Sequence, residues 1–231
     1  MGKLPLFVPV DCKTLKEAVD RVHRDARLTT IIVGKGEHQI DSDYLNIFST
    51  MHIVGDPQVL KEEIVILGGI EFRSGSGDSH LQHLTLCQAN RNGVFGWSSF
   101  TMDDVLVEQC EYNGVGADGS GVVVQCTNVE VRQCRGSGVV AATGASITLI
   151  GAKTSVHNNC TNLGRNDYGL KVYNFNSSTI QLVFPLTKQT VSKNNGGGGN
   201  WGAYLGAEVN LIKTIPAVVV TYNQYRYKLR F

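Results

Sequence analysis

Leu84-Thr85-Leu86-Cys87-Gln88-Ala89-Asn90-Arg91-Asn92-Gly93-Val94 is the stretch on which the fold turns, because the chain writes it again twice. Val105-Leu106-Val107-Glu108-Gln109-Cys110-Glu111-Tyr112-Asn113-Gly114-Val115 aligns with it, and so does Val129-Glu130-Val131-Arg132-Gln133-Cys134-Arg135-Gly136-Ser137-Gly138-Val139. The copies start 21 and 24 residues apart, and a fainter one, Thr154-Ser155-Val156-His157-Asn158, follows at an offset of 25. Self-similarity at such a period marks a repeat architecture. The leucine-rich pattern L-x-x-L-x-L-x-x-N is absent, and an antiparallel sandwich would not set like residues at like offsets. Parallel coils do, since equivalent positions stack about 4.8 Å apart up a sheet. The expected fold is all-β, a right-handed parallel β-helix closed by an N-terminal capping α-helix.

Period-2 alternation assigns directions within each copy. Leu84, Val105 and Val129 point inward, as do Leu86, Val107, Val131 and Val156. Gln88, Gln109, Gln133 and Asn158 follow with the same parity, which predicts a structural ladder of side-chain amides inside a turn. The outward residues form three columns: Cys87, Glu108, Arg132 and His157; Thr85, Leu106, Glu130 and Ser155; His83, Asp104, Asn128 and Lys153.

Working outward from the repeat, residues 13–23 read as a helix. Thr14-Leu15-Lys16-Glu17 fits a capping box, and Leu15, Ala18, Val19 and Val22 form one apolar stripe. A solenoid needs such a cover over its first coil. Short β-rich runs separated by Gly, Asn and Asp carry the coils over 30–190, with an inserted loop at 160–167. Residues 191–231 are expected to form a flexible glycine-rich loop, at 194–200, and a capping strand. In that strand Tyr225, Tyr227, Leu229 and Phe231 alternate with Arg226, Lys228 and Arg230. The whole, 1–231, reads as a single domain.

Of 231 residues, 42% are hydrophobic and 18% charged, enough for a sizeable core. The 26 glycines against 5 prolines suit many tight turns. A formal net charge of +1 argues against a general nucleic-acid binder. The first ten residues hold too short an apolar run for a secretory signal, and no later stretch approaches the roughly 20 apolar residues of a membrane span. The expectation is a soluble intracellular protein without a membrane partner, monomeric or weakly oligomeric. Without any CxxC pair, the six cysteines read as buried small hydrophobes rather than a zinc cluster or disulfides. The Asn159-Cys160-Thr161 sequon carries no weight without secretion.

On this repeat the chain resembles the pectate-lyase-like superfamily of right-handed parallel β-helices, over roughly residues 13–215. The resemblance implies the fold and an outward sheet along which extended polymers lie. It implies no catalytic residues, because the superfamily's hydrolase motifs Asn-Thr-Asp, Gly-His-Gly and Arg-Ile-Lys are missing. Asp103-Asp104 is the one echo, and Asp56-Pro57 is followed by Gln58 where epimerases carry His.

The outward columns gather Asp104, Glu108, Glu130, Arg132, Lys153 and His157 within a few rungs. As chemistry, eliminating a uronate requires a base and cations beside the developing negative charge, roles open to Arg132, Lys153 and His157. Glu108 and Asp104 would hold calcium in a lyase, or Glu108 would act as an acid in hydrolysis. The plainer reading is exposed cross-strand ion pairing. On that reading the chain is a non-catalytic binding or scaffold module, cofactor-free, facing a polysaccharide or protein. The alternatives are a lyase or epimerase on acidic polysaccharide and a self-assembling structural component. Trp97 and Trp201 are read either as sugar-stacking rings or as covers of a core edge, and His80 and His83, three apart, as lying on opposite faces.

Overall fold

A computed structural model describes residues 5–162, 166–173 and 178–217. All its sheet pairings among these residues are parallel, and they wind the chain into a β-helix with three faces. The first face stacks Leu6–Val8, Thr30–Val33, His52–Gly55, the first half of Ser79–Cys87, the first half of Phe100–Glu108, Val123–Thr127, Ser146–Ile150, Thr179–Val183 and Ile212–Ile215. The second holds Gly36–Gln39, Ile64–Leu67, the second halves of the two long strands, Glu130–Arg132, Ser155–His157 and Ser192–Lys193. The third runs Leu45–Ile47, Ile70–Phe72, Val94–Gly96, Val115–Asp118, Val139–Ala142, Leu170–Tyr173 and Trp201–Tyr204.

The repeat copies are neighbours in register: Leu84 pairs with Val105, and Leu86, Val107, Val131 and Val156 form one inward column. Each of these is buried. The glycine ending each copy serves packing rather than turning. A Cβ at Gly93, Gly114 or Gly138 would stand 2.4, 2.2 and 2.4 Å from a methyl of Val107, Val131 or Val156, so only a bare Cα lets the coil close over its valine.

The amide column bonds along the axis, Gln109 Nε2–H to Gln133 Oε1 at 3.5 Å, but it does not lie inside a turn as predicted. Gln88, Gln109, Gln133 and Asn158 take φ between 55° and 57°, and all four are exposed. One left-handed residue ends the alternation of a strand, so parity cannot be carried through it. A second set of amide pairs, half-buried except for the fully buried Asn159, lies a few residues on. Asn113 N–H and Nδ2–H both donate to Asn92 Oδ1, at 3.1 and 3.0 Å. Asn159 N–H and Nδ2–H donate to Asn195 Oδ1, at 2.9 and 3.0 Å. The glycine-rich loop is likewise built in: Gly196 N–H bonds Asn159 O, and Gly198 N–H bonds Asp167 O.

The helix spans Leu15–Arg24 and buries Leu15, Ala18, Val19 and Val22. Thr14 Oγ1 accepts from Glu17 N–H, while the Glu17 carboxylate reaches back to Lys13 N–H rather than to Thr14. Coils extend beyond 30–190 at both ends. Leu6–Val8, between Pro5 and Pro9, pairs with Thr30–Val33, and Ile212–Ile215 pairs with Thr179–Val183. The capping strand predicted at 225–231 lies outside the described residues, as does part of the 160–167 insertion. All six cysteines are buried free thiols. Among the described residues no helix is long and apolar enough to cross a membrane.

Candidate functional site

The second face brings four of the predicted residues together. Register places Cys87, Glu108, Arg132 and His157 in one column and Glu130 beside it. Arg132 Nε–H donates to Glu108 Oε2 at 2.8 Å, and its Nη1 donates to Glu130 Oε1 at 3.0 Å. The His157 ring stands with Nε2 3.1 Å from the same Glu130 oxygen. Asn158 Nδ2 donates to His157 Nδ1 at 3.0 Å, so the neutral ring carries its proton on Nε2, toward Glu130. Partial burial works against the Arg132 charge, but the two carboxylates outweigh it and hold the guanidinium above its ordinary pKa. Every ionic group of this network thus faces another member of it.

Asp104 and Lys153 do not join. Asp104 sits at the corner between the first and second faces with φ 52°. There Lys61 Nζ and His83 Nδ1 each approach its carboxylate to 2.7 Å. Lys153 falls out of the third column because its turn is two residues longer. Thr127 pairs with Ile150 and Glu130 with Ser155, so Gly151 (φ 87°) takes the position next to Asn128. His80 and His83 are both outside the core rather than on opposite sheet faces, because His83 is itself the left-handed corner of its coil (φ 53°) and the alternation that starts from His80 ends there. His80 Nδ1 lies 2.7 Å from Thr101 Oγ1, whereas His83 Nε2 meets Val59 O at 2.8 Å. Among the described residues no group of three His, Cys, Asp or Glu is disposed to hold a metal ion.

The third face holds what the repeat columns missed. A cavity of about 360 Å³ opens there, lined by Asp43, Tyr44, Asn46, Glu71, Arg73 and Arg91 among others. Glu71 is buried, and its Oε1 accepts from Trp97 Nε1–H at 3.0 Å. The two tryptophans part company. Trp201 pairs with Leu170 in the inward column, half-buried at the C-terminal coil. Trp97 stands 43% exposed beside the cavity. The signal available in the sequence was Trp97 itself; the partner Glu71, 26 residues away, belongs to an earlier coil.

No family model matches the chain, and no curated protein matches it. A solved structure shares the fold. It is the catalytic domain of a GH87 alpha-1,3-glucanase variant in complex with tetrasaccharides, 12% identical, with a TM-score of 0.50 over 94% of this chain. This chain spans 39% of that one. The likeness is one of architecture.

Proposed function

We propose that the chain is a non-catalytic β-helix module that presents its rigid, charged second face to a polysaccharide or protein partner. The observation carrying this reading is the closed pairing of Arg132 with Glu108 and Glu130, and of Glu130 with His157. Eliminating or hydrolysing a glycosidic bond calls for an acid or base free to exchange a proton and a cation aimed at charge that develops in the transition state. Here the cation is spent on neighbouring carboxylates (Glu130 also meets the imidazole), and calcium ligation by Glu108 and Asp104 would first require breaking their ion pairs. Binding asks less. A preorganised face loses little conformational freedom when a partner docks, and rows of side chains about 4.8 Å apart suit an extended chain laid along the axis. The module works without a cofactor on this reading.

The test is capture of polysaccharides and proteins on the immobilised chain, combined with assays for new reducing ends and unsaturated uronates. Binding without product, weakened by Arg132→Ala, is the expected result. Turnover that vanishes in Arg132→Ala and His157→Ala would overturn it. That outcome would favour the second reading, a lyase or epimerase acting on acidic polysaccharide, which rests on the charged column and on analogy of fold alone.

A further inference from the structure

The third face ends, toward the N-terminal coils, in a surface unlike the charged one. Ile47 pairs with Phe72 and Phe72 with Gly96. The next residues, Phe48, Arg73 and Trp97, therefore stack as an outward column along the axis. Backbone bonds continue the pairing past the strand ends: Arg73 N–H donates to Ile47 O at 2.9 Å and Trp97 N–H to Phe72 O at 2.8 Å. Phe48 is 59% exposed. Two rungs separate its backbone from that of Trp97, about 10 Å, and its ring meets the His23 ring with centroids 5.6 Å apart. Phe95 meets Trp97 edge-on with centroids 5.3 Å apart, and the Trp97 bond to Glu71 fixes the indole, so the indole is a platform with a set orientation.

Beside the platform lies the cavity, and its charges cancel in pairs. Arg73 Nη2 is 2.7 Å from Glu71 Oε2, and Arg73 Nε–H donates to Asn46 Oδ1 at 2.8 Å. Arg91 Nε–H donates to Asp43 Oδ2 at 2.9 Å. Both oxygens of the buried Glu71 carboxylate are thus matched, Oε1 by Trp97 and Oε2 by Arg73. Planar amide, carboxylate and guanidinium groups beside aromatic rings suit a ligand with one flat apolar face and a rim of hydroxyls. Because the cations are already matched, an added carboxylate or phosphate would be desolvated without a partner.

We propose that this surface is a binding site for a short neutral oligosaccharide, stacked on Trp97 and Phe48 and hydrogen-bonded by Asn46 and Arg73. The site rests on the module being a binding protein, but it uses a different face from the charged network and takes uncharged sugars. Its span along the axis requires an oligomer, since a single sugar ring cannot cover both aromatic residues.

Calorimetric titration of the full chain with neutral gluco-, manno- and galacto-oligosaccharides of two to six units, and with galacturonate oligomers, tests it. At least one neutral series should bind and perturb tryptophan fluorescence, with affinity rising from two to four units. Trp97→Ala should weaken that binding at least tenfold and Phe48→Ala at least threefold, while Lys213→Ala, far along the helix, leaves it unchanged. Phe48 is exposed enough that its variant stays folded even if Trp97→Ala does not. Failure of all neutral oligomers to bind, tighter binding of galacturonates, or wild-type affinity in both aromatic variants would overturn the site. Product formation from a neutral oligomer bound in a Trp97-dependent way would uphold the site while refuting the non-catalytic reading. Capture of a protein on the charged face with no sugar bound would do the reverse.

Discussion

Asp104 shows how one residue's role follows from its corner. Burial alone would favour the neutral acid, but hydrogen bonds from Lys61 and His83 outweigh it and bring its pKa below the ordinary carboxylate range. For His83, burial disfavours the charge, while Val59 O and Asp104 outweigh that and raise the pKa. The two linkages act in different windows. A depressed carboxylate contributes stability above its unfolded value of about 3.9 and loses it as pH falls through the folded pKa. A raised imidazole contributes fully below about 6.5 and loses that share as pH climbs through the folded value. Asp104→Asn should therefore lower the urea midpoint more at pH 5.5 than at pH 8.5, and equal losses at both pH values would refute the coupling. The sequence marked Asp104 as charged and outward. Its partner Lys61 stands 43 residues earlier and was invisible to the repeat.

At the scale of elements, the amide ladders separate what periodicity reveals from what it hides. Asn159 is 1% exposed; its Oδ1 accepts from Cys134 N–H and its Nδ2 donates to Val131 O. Asn159→Leu strands both buried backbone groups and should cost about 3 kcal/mol. Gln133→Leu, on the exposed ladder, should stay within about 0.5 kcal/mol. Urea denaturation of the two variants checks the contrast; equal costs would place the structural ladder where parity alone put it. The helix makes a second element-level case. Leu15 and Val19 seal the first coil, so Leu15→Asp with Val19→Asp should lift the cap, expose a strand edge and convert a monodisperse sample to aggregates in light scattering. A sample that stays monodisperse would deny the helix that role.

Across the whole molecule, every cysteine is a buried thiol, Cys87 in the outward column included. Burial pushes the Cys126 thiol up to about 12 and Cys160 to about 12. At pH 8 the folded chain should resist alkylation at these two positions over hours, and both should label within minutes in urea, by mass spectrometry of peptides. Rapid labelling of Cys126 in the native state would mean the coils around it open readily. Stacking splits the surface into faces of different chemistry, ion-paired on the second and aromatic at the N-terminal end of the third.

The repeat at 84–94, 105–115 and 129–139 by itself determined the coils, the inward valines and the column Cys87, Glu108, Arg132, His157. Each follows from strand parity and a motif that recurs every 21 to 25 residues, which are properties written along the chain. Tertiary structure alone decided that the glutamines face solvent, that Gly151 displaces Lys153, and that Glu71 meets Trp97. Those outcomes depend on left-handed corners, on unequal turn lengths and on which coil lies above which. A sequence pattern of period 2 carries no record of them.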